Sequence, residues 1–471
     1  MKILLTGATG YIGSHLLPTL VSAGHEVICC VRDKSKFNPS VSIIDHVTTI
    51  QVDFLDPQSL NQIPTDIDVA YYLMHSMSGS SNYANLELEC ANNFQHAISK
   101  TQVDHVIYLG GILNENNLSK HLASRKAVES TLSSGTYNFT SIRSGIVVGS
   151  GSGSFEIIRD LVEKLPVMIT PKWLKTKCQP ISIFDAIQFL HLTMKNTLTY
   201  NKVFDIGGPD ILTYKEMLLA YARFRKLRRL IISVPVLTPR LSSYWLYLVT
   251  ATSYRLAHAL VSSMKIDITC RDNSLQKLLG IQPMNYVSAL SIAMPELEHS
   301  YIATTKARRY KSQDQIDIPS DWIYTPTFGC VQDRKTSPIR DIATTLDRIW
   351  SIGGDTGWYY ANWLWKLRAL LDKMIGGIGF GIGRSDPSEI NVGDKIDFWK
   401  VCFVSKKDRR LILFAEMKVP GQAWLEFQIR DNTLLQTATF RPRGILGRIY
   451  WYILLPFHAF IFRGLIKELS K

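Results

Sequence analysis

The amino-acid sequence predicts an α/β fold for the first 300 residues, a doubly wound parallel sheet with helices on both faces, followed by a smaller α+β region. In the first 150 residues, short apolar segments alternate with amphipathic helical patterns, which is typical of βαβ units. After residue 320 the apolar segments are joined by short polar turns, which indicates antiparallel pairing. We therefore expect a parallel sheet and a separate antiparallel sheet.

Six strands are predicted in the first 150 residues, with helices between them. The strands are at 3–6, 27–31, 48–52, 68–74, 105–110 and 140–148. The clearest helical patterns are at 83–99 and 120–134. Residues 150–302 continue with features of a substrate lobe, including an apolar helical segment at 241–264 and a last helix that ends near His299.

A polar and charged stretch at 303–320 predicts a linker. One domain is therefore expected at 1–302 and another at 321–471. The second domain combines two helical patterns, a glycine-dense turn, four strand patterns and a long apolar helix. In chain order these are 340–352, 358–374, 376–383, 395–404, 410–418, 422–430, 433–441 and 445–468.

The segment TGATGYIG, residues 6–13, is the first candidate binding site. It joins an apolar strand to a helical pattern, and a second apolar strand follows, as in the βαβ unit that binds dinucleotides. Gly7 permits the tight turn off the strand, Gly10 leaves room for the pyrophosphate, and Gly13 lets the helix pack closely. The pattern predicts a Rossmann-type domain that holds the cofactor along this loop. The other loop residues predicted to contact it are Thr6, Thr9, Tyr11 and Ile12.

The end of the second strand predicts which dinucleotide binds. An acidic residue there would contact the ribose hydroxyls, whereas an arginine accommodates a 2′-phosphate. Arg32 favours NADP, while the adjacent Asp33 leaves NAD possible if the register differs by one residue. Asp53 follows the third strand, where its carboxylate can reach the adenine amino group.

These segments resemble an atypical, extended-type short-chain dehydrogenase/reductase (SDR) over the first 300 residues. The resemblance implies an NAD(P)-dependent oxidoreductase whose tyrosine, lysine and serine act at a substrate carbonyl. The matching motifs are TGATGYIG (6–13), VRD (31–33), VDFLD (52–56), YYLMHSM (71–77), IYLGGI (107–112), HLASRKAVE (121–129) and IRSGIVVG (142–149).

The last 150 residues resemble the C-terminal domain that follows such an SDR in a group of bacterial proteins. That domain is similar to the START-like helix-grip fold, in which a curved antiparallel sheet wraps a long helix around an apolar cavity. The resemblance implies an apolar small-molecule ligand. The stretches that carry it are VGDKIDFWKV (392–401), AEMKVPGQAWLEF (415–427), QTATFRPRG (436–444) and YWYILLPFH (450–458).

The catalytic pattern of the SDR family is incomplete. Leu122 stands four residues before Lys126, where the tyrosine is expected, and Gly110 and Gly111 stand where the serine is expected. Lys126 fits the remaining part of the motif and is predicted to hold the nicotinamide ribose. Three substitutes for the tyrosine are considered, each with a structural alternative as a surface, strand-end or core residue. They are His121, His75 with its neighbour Ser76, and Tyr108. His75 ends the fourth strand beside the expected nicotinamide, so it is also predicted to contact the cofactor.

Charge and cysteine content limit the possible partners. The formal charge is +13, and residues 301–471 contribute +9 of it together with eight of the ten tryptophans. The basic residues are scattered singly, so no nucleic acid is expected, whereas peripheral contact with the inner face of a membrane is possible. The seven cysteines contain no CxxC pair, which favours free thiols in a cytoplasmic protein without a metal site.

The uncharged run Ile449–Phe462 is shorter than the ~20 residues that span a bilayer. We interpret it first as a covered helix of the second domain and second as a helix that touches a membrane. The sequence therefore predicts an NADP-binding oxidoreductase for an apolar or quinone-like carbonyl substrate, with a C-terminal domain for an apolar ligand. The alternative is a non-catalytic NADP-dependent redox sensor or a lipid- or quinone-binding protein. A sugar-nucleotide epimerase is less favoured because it would need the missing tyrosine.

Overall fold

The computed structural model describes most of the chain, and its residues form two compact units, Met1–Ala293 and Met294–Lys471. The predicted linker at 303–320, the glycine-dense turn at 376–383 and nearly all of the helical segment at 241–264 lie outside the described residues. The described residues are 1–34, 37, 39, 43–75, 83–113, 120–234, 264, 266–293, 325, 329–353, 356–374, 390–430, 432–442 and 444–471.

Thirteen strands are described in the first unit. They are β1 (Lys2–Thr6), β2 (Glu26–Val31), β3 (Val47–Gln51), β4 (Val69–Tyr72), β5 (His105–Gly111), β6 (Asn138–Ser144), β7 (Val147–Val148), β8 (Val167–Pro171), β9 (Lys177–Cys178), β10 (Ile181–Ser182), β11 (Lys202–Ile206), β12 (Leu212–Thr213) and β13 (Leu230–Val234). Seven of them form the main sheet in the order β11-β6-β5-β4-β1-β2-β3. Every pairing in this sheet is parallel, so the predicted Rossmann-type sheet is confirmed.

Eight helices are described in the first unit. They are α1 (Tyr11–Ser22), α2 (Tyr83–Ile98), α3 (Lys120–Ser133), α4 (Gly153–Lys164), α5 (Ile183–Thr193), α6 (Tyr214–Phe224), α7 (Ser274–Leu279) and α8 (Tyr286–Ala293). In the layers around the sheet, α1 packs with α5 and α2 packs with α3. Local sequence sets where α6 begins, because Thr213 and Glu216 form a reciprocal capping box there.

The strand order changes direction between β1 and β4. From β1 the chain adds β2 and β3 on one side, and then adds β4, β5, β6 and β11 on the other. In open parallel sheets, ligands bind at this switch point, beside the carboxyl ends of the strands. The short strands form three separate pairs, which build the lobe that follows β6: β7 with β10, β8 with β13 and β9 with β12.

The second unit contains a six-stranded antiparallel sheet in the order β14-β19-β18-β17-β16-β15. Its strands are β14 (Val331–Pro338), β15 (Lys395–Ile396), β16 (Trp399–Ser405), β17 (Arg410–Ala415), β18 (Gly421–Arg430) and β19 (Thr433–Pro442). Its helices are α9 (Ile342–Trp350), α10 (Asn362–Met374) and α11 (Gly444–Leu469). The edge strand β14 was not predicted from the sequence, because most of its residues are charged or polar, as is typical of a loop.

Helix α11 packs on β19 and β14 through one face only. Trp451, Phe462 and Leu465 are buried, whereas Leu446 is 74% exposed and Ile453 is 64% exposed. The prediction of a covered helix is therefore wrong for this side of α11. Among the described residues, Leu446–Leu469 is the helix that is long and apolar enough to cross a membrane by length and composition, with a mean hydropathy of 1.5.

Candidate functional site

The glycine loop between β1 and α1 folds back closely on itself. Gly7 has a positive φ of 69°, and a Cβ there would lie 2.7 Å from the carbonyl oxygen of Leu73. A Cβ on Gly13 would lie only 2.2 Å from the carbonyl oxygen of Gly7. The Gly10 N–H donates to that same oxygen at 2.8 Å. Side chains at these positions would open the loop, so the glycines bring the N-terminus of α1 close to the switch point.

A cavity of about 800 Å³ lies at this switch point, beside the carboxyl ends of β1, β2, β4 and β5. Nine of the residues predicted to contact a cofactor line it. They are Gly7, Thr9, Gly10, Tyr11, Ile12, Gly13, Arg32, Asp53 and His75. The cradle formed by the glycines and the size of the cavity fit a bound dinucleotide.

Thr6 does not line the cavity as predicted but is fully buried. Its Oγ1 donates to the Tyr71 carbonyl at 2.9 Å and accepts from the Leu73 N–H at 3.2 Å. Thr6 therefore joins β1 to the end of β4 and positions the loop without touching the ligand space.

Arg32 and Asp53 line the cavity beyond the ends of β2 and β3. The Arg32 side chain is exposed, which leaves its guanidinium accessible to an anionic group. Asp53 closes a local turn, because its Oδ1 accepts from the Leu55 N–H at 3.0 Å. The Asp53 N–H donates to Ser59 Oγ at 3.0 Å, which fixes the start of the same turn. A basic and an acidic group thus stand on the same side of the switch point.

A polar cluster around the buried side chains of Glu87 and Ser124 follows β4, at the other side of the switch point. His75 Nδ1 lies 2.9 Å from Glu87 Oε1, and Ser124 Oγ donates to Glu87 Oε2 at 2.6 Å. Burial lowers the pKa of His75 to about 4, and the nearby Arg125 charge acts in the same direction. The imidazole is therefore neutral at neutral pH, which disfavours the predicted role of His75 as a proton donor.

Arg125, and not Lys126, lines the cavity on helix α3. Its Nη1 lies 3.5 Å from both the Tyr108 hydroxyl and the Leu109 carbonyl oxygen. Lys126 is exposed and is not part of the lining, so the structure does not support its predicted contact with the ribose. The reason is helical geometry, because adjacent residues of a helix point about 100° apart.

The position expected for the catalytic tyrosine holds Leu122, which is buried and lines the cavity. Gly110 and Gly111 also line it, at the end of β5. A Cβ on Gly110 would lie 2.9 Å from the Tyr108 ring, so a serine there would require movement of that ring, whereas a Cβ on Gly111 would lie 3.3 Å from Leu122 Cδ2. Tyr108 itself is fully buried in the core. The side chain of His121 and all of Ser76 lie outside the described residues.

The far wall of the cavity is apolar. It is formed by α4, the lobe strands and α6 rather than by the main sheet. The residues are Ile157, Ile158, Leu161, Met168, Leu174, Leu218, Met264 and Ile268. The same cavity therefore runs from the glycine loop, past the polar cluster, to a surface suited to an apolar molecule.

Sequence reasoning missed Glu87, Ser124 and Arg125. Glu87 shares a helix face with Ala91 and Phe94, both fully buried, so a charged residue in line with a buried face was the available signal. Among the described residues, no cluster of three or more histidine, cysteine or acidic side chains could hold a metal ion.

Two family matches cover separate parts of the chain. Residues 3–112 match the NAD dependent epimerase/dehydratase family. Residues 330–465 match a family described as protein of unknown function (DUF2867). The first match lies within the unit of the parallel sheet, and the second lies within the unit of the antiparallel sheet.

Among curated proteins, the divinyl chlorophyllide a 8-vinyl-reductase of Cucumis sativus is 25% identical over 224 residues, which are 44% of this chain and 53% of the relative. The chain spans about half the length of this relative and of its Arabidopsis thaliana counterpart.

Two solved structures share the fold of the first unit. The NADP(H) complex of triphenylmethane reductase from Citrobacter sp. has a TM-score of 0.51 at 17% identity, covering 62% of this chain and 100% of that chain. The NADPH complex of the quinone oxidoreductase QOR2 from Escherichia coli has a TM-score of 0.51 at 16% identity, covering 61% and 98%. The first unit therefore shares the Rossmann-type fold of these two NADP(H)-bound reductases, and its glycine loop and cavity lie at the switch point, where such a fold binds a dinucleotide.

Proposed function

We propose that the protein is an NADPH-dependent reductase that acts on an apolar, quinone-like carbonyl compound. The observation that carries the proposal is the single cavity that joins the glycine loop to the apolar wall of α4 and the lobe. A dinucleotide bound along the loop would leave the apolar part of this cavity for a second, uncharged molecule. The triphenylmethane reductase and the quinone oxidoreductase, which share the fold, are both NADP(H)-bound reductases.

Arg32 supports NADP as the cofactor. Its exposed guanidinium lines the cavity where a 2′-phosphate is expected after the second strand. A charge-assisted contact with a phosphate is worth more than a hydrogen bond to a ribose hydroxyl. Asp53, one strand further, is left to contact the adenine.

The chemistry requires a two-electron reduction without the usual tyrosine. When bound, NADPH would supply a hydride to the substrate, and the substrate oxygen would then carry a negative charge. Arg125 is the cation that lines this part of the cavity in the described chain, and its charge stabilises such an oxyanion. A proton from solvent completes the reduction, so that one NADPH, one proton and one quinone give NADP⁺ and a hydroquinone.

The polar cluster has a positioning role in this scheme. Glu87 holds His75 and Ser124 through its two oxygens, and so joins the end of β4 to helix α3, which carries Arg125. The neutral His75 donates its Nδ1–H to Glu87, which leaves Nε2 without a proton to transfer. The cluster therefore orients the site and does not supply the proton.

For the second unit, the proposal is a START-like helix-grip domain joined to the first domain by the linker at 303–320. The support is the six-stranded antiparallel sheet with α11 packed along β19 and β14. A role in binding an apolar small molecule would follow from this fold.

A non-catalytic NADP-dependent redox sensor or quinone-binding protein is the second candidate. Two observations favour it, namely Leu122 in the place of the tyrosine and the exposure of Lys126. Such a protein needs the cofactor cradle but no group that acts on a carbonyl.

Turnover separates the two candidates. The purified protein is mixed with NADPH and either menadione or decylubiquinone, and the loss of NADPH absorbance is followed while bound NADPH is measured by fluorescence quenching. The reductase predicts saturable NADPH oxidation that Arg125→Gln lowers at least tenfold without a matching loss of NADPH affinity. Arg223→Gln, in the last turn of α6 and outside the cavity lining, is the control. Tight NADPH binding without oxidation of either quinone would support the sensor instead.

A further inference from the structure

The second unit presents an apolar stripe along helix α11. Most of its residues recur three or four positions apart, so the stripe lies on one side of the helix, and Leu455, which is 38% exposed, lies outside it. The residues of the stripe are Leu446, Ile449, Tyr452, Ile453, Phe457 and Phe460. A stripe from 446 to 460 is about 21 Å long at the rise of an α-helix.

Helix α10 adds a second exposed apolar stripe. Trp363 is 65% exposed and Met374 is 76% exposed, and between them lie Leu367, Leu370 and Leu371 at helical spacing. Surfaces of this kind are uncommon on monomeric soluble proteins and mark sites of interaction.

Helices α10 and α11 contact each other through side chains. The rings of Trp365 and Phe462 are 6.3 Å apart, and Arg368 Nη2 donates to the Tyr450 hydroxyl at 2.7 Å. These contacts join the first half of α10 to both the start and the end of α11, so the two stripes lie on neighbouring helices. We call the exposed residues of both stripes the apolar face.

The exposed charged side chains of the two helices have one sign. They are all basic: Lys366, Lys373, Arg463 and Lys467. Of the two acidic residues in these helices, Asp372 is buried and accepts from the Lys418 N–H, and the half-buried Glu468 accepts from the Lys471 ammonium group. An apolar face bordered by lysine and arginine complements an anionic lipid surface.

Helix α11 is also fixed to the rest of its unit. A Cβ on Gly464 would lie 2.0 Å from the Tyr360 ring, and one on Gly447 would lie 2.3 Å from the Pro420 carbonyl oxygen. Phe462, Leu465 and Ile466 belong to the core beneath the sheet. A helix held along one side by its own domain cannot span a bilayer without breaking that core, although its length and hydropathy would allow it.

We propose that the apolar face of α10 and α11 docks the protein on an anionic lipid bilayer, with α11 lying in the plane of the interface. The apolar stripes enter the boundary between headgroups and acyl chains, while the flanking lysines and arginines contact anionic headgroups. Trp363 and Tyr452 are suited to this depth, since each combines a large apolar ring with a polar atom.

Vesicle sedimentation of the full-length protein tests the proposal. Vesicles of phosphatidylcholine alone are compared with vesicles that also contain phosphatidylglycerol. We expect binding to the anionic vesicles that falls at least tenfold when the salt concentration is raised from low to high. The double variant I453S/F457S should bind at least tenfold more weakly, and K366Q/K373Q should lose most of the preference for anionic lipid.

The matched control is L198S/I211S, which removes two exposed apolar side chains from the first unit. It should bind vesicles like the parent protein, and all variants should keep the parent's melting temperature and NADPH affinity. Four outcomes would overturn the proposal. Two are the absence of vesicle binding and equal binding to neutral and anionic vesicles. The third is retention on the vesicles after a carbonate wash, as expected for a spanning helix, and the fourth is a dimer that does not bind vesicles and that I453S/F457S dissociates.

Discussion

His75 and Glu87 form a hydrogen bond of 2.9 Å between a neutral imidazole and a buried carboxylate. Because burial lowers the pKa of His75 to about 4, the contact is an N–H donated to a carboxylate and not an ion pair at neutral pH. Glu87 accepts a second hydrogen bond from Ser124, so one carboxylate holds two elements that border the cavity. A buried acceptor that loses one of its donors is costly, so this cluster is sensitive to small changes.

Replacing Glu87 with glutamine tests this positioning role, which rests on the proposed reductase activity. The amide keeps the shape of the side chain but turns an NH2 group toward one of the two donors, so one hydrogen bond is lost. We expect kcat to fall at least tenfold, while NADPH affinity changes less than threefold. The exposed Glu89 on the same helix provides the control variant Glu89→Gln. An equal loss of kcat in Glu87→Gln and Glu89→Gln would contradict the positioning role of Glu87.

Arg32→Ala should weaken the binding of NADPH far more than that of NADH. A charge-assisted contact with the 2′-phosphate is worth about 1.5–3 kcal/mol, or roughly a tenfold to hundredfold change in Kd. Titration by fluorescence quenching measures both cofactors. Lys34→Ala removes the same charge two residues away, at an exposed position outside the cavity lining, and should change neither Kd. Equal affinities of the parent protein for the two cofactors would show that Arg32 does not read the phosphate.

Gly13→Ala should abolish dinucleotide binding. Its Cβ would lie 2.2 Å from the carbonyl oxygen of Gly7, and backbone cannot yield as a flexible side chain can. We expect a loss of at least about 2 kcal/mol in folding stability, by thermal unfolding, and no detectable NADPH binding. Ser14→Ala removes only a hydrogen bond to the Tyr11 carbonyl and serves as the comparison. Normal cofactor affinity in Gly13→Ala would mean that the loop does not cradle the cofactor.

Gly149 gives Tyr11 its space beside the cavity. A Cβ at Gly149 would lie 2.0 Å from the Tyr11 hydroxyl and 2.9 Å from Ile183 Cγ2. Gly149→Ala should therefore displace the Tyr11 ring and weaken NADPH binding. Adding Tyr11→Phe removes the nearest atom and should restore part of the affinity, although the contact with Ile183 remains. A double variant weaker than Gly149→Ala alone would show that the clash is not with the hydroxyl.

Stability should decrease in acid because His105 is buried as the neutral base. Its Nδ1 accepts from the Lys195 N–H at 3.1 Å, so the other nitrogen carries the proton and donates to Thr140. Burial lowers its pKa from 6.5 to about 4. The unfolded chain therefore binds more protons between these values, and stability falls as the pH drops from 6.5 toward 4.

The contribution of His105 to this fall is up to about 3 kcal/mol. His105→Gln should flatten the plot of unfolding free energy against pH, measured by denaturant titration between pH 7 and pH 5. The exposed His46 is the control, since His46→Gln removes a histidine that the fold does not bury. Identical slopes in the parent protein and His105→Gln would contradict the lowered pKa of the buried His105.

The sequence was sufficient to predict the parallel sheet and the tight glycine loop because both follow local rules. The alternation of apolar strands with helices and the spacing of Gly7, Gly10 and Gly13 depend on near neighbours in the chain. Gly7 and Gly13 are indeed the positions where a Cβ would meet backbone. The division between the parallel and antiparallel sheets was visible for the same reason.

The polar cluster could not be predicted in this way. His75, Glu87 and Ser124 come from three separate elements, and only the folded chain brings them together. The sequence also could not show whether Arg125 or Lys126 lines the cavity, because this depends on the rotation of α3 about its axis. Likewise, an apolar pattern on most sides of α11 did not reveal which side the core covers.

The reversal of strand order between β1 and β4 also divides the cavity into two halves that are lined by different elements. Arg32 and Asp53, proposed to contact the 2′-phosphate and the adenine, follow β2 and β3, whereas His75 and Arg125 border the half built on β4, β5 and α3. Under the proposed function, the choice of electron donor and the reaction would then depend on different elements. A substitution at Arg32 would change the preferred donor while the residues of the reacting half stay the same. Such independence gives this architecture room to acquire new substrates one step at a time.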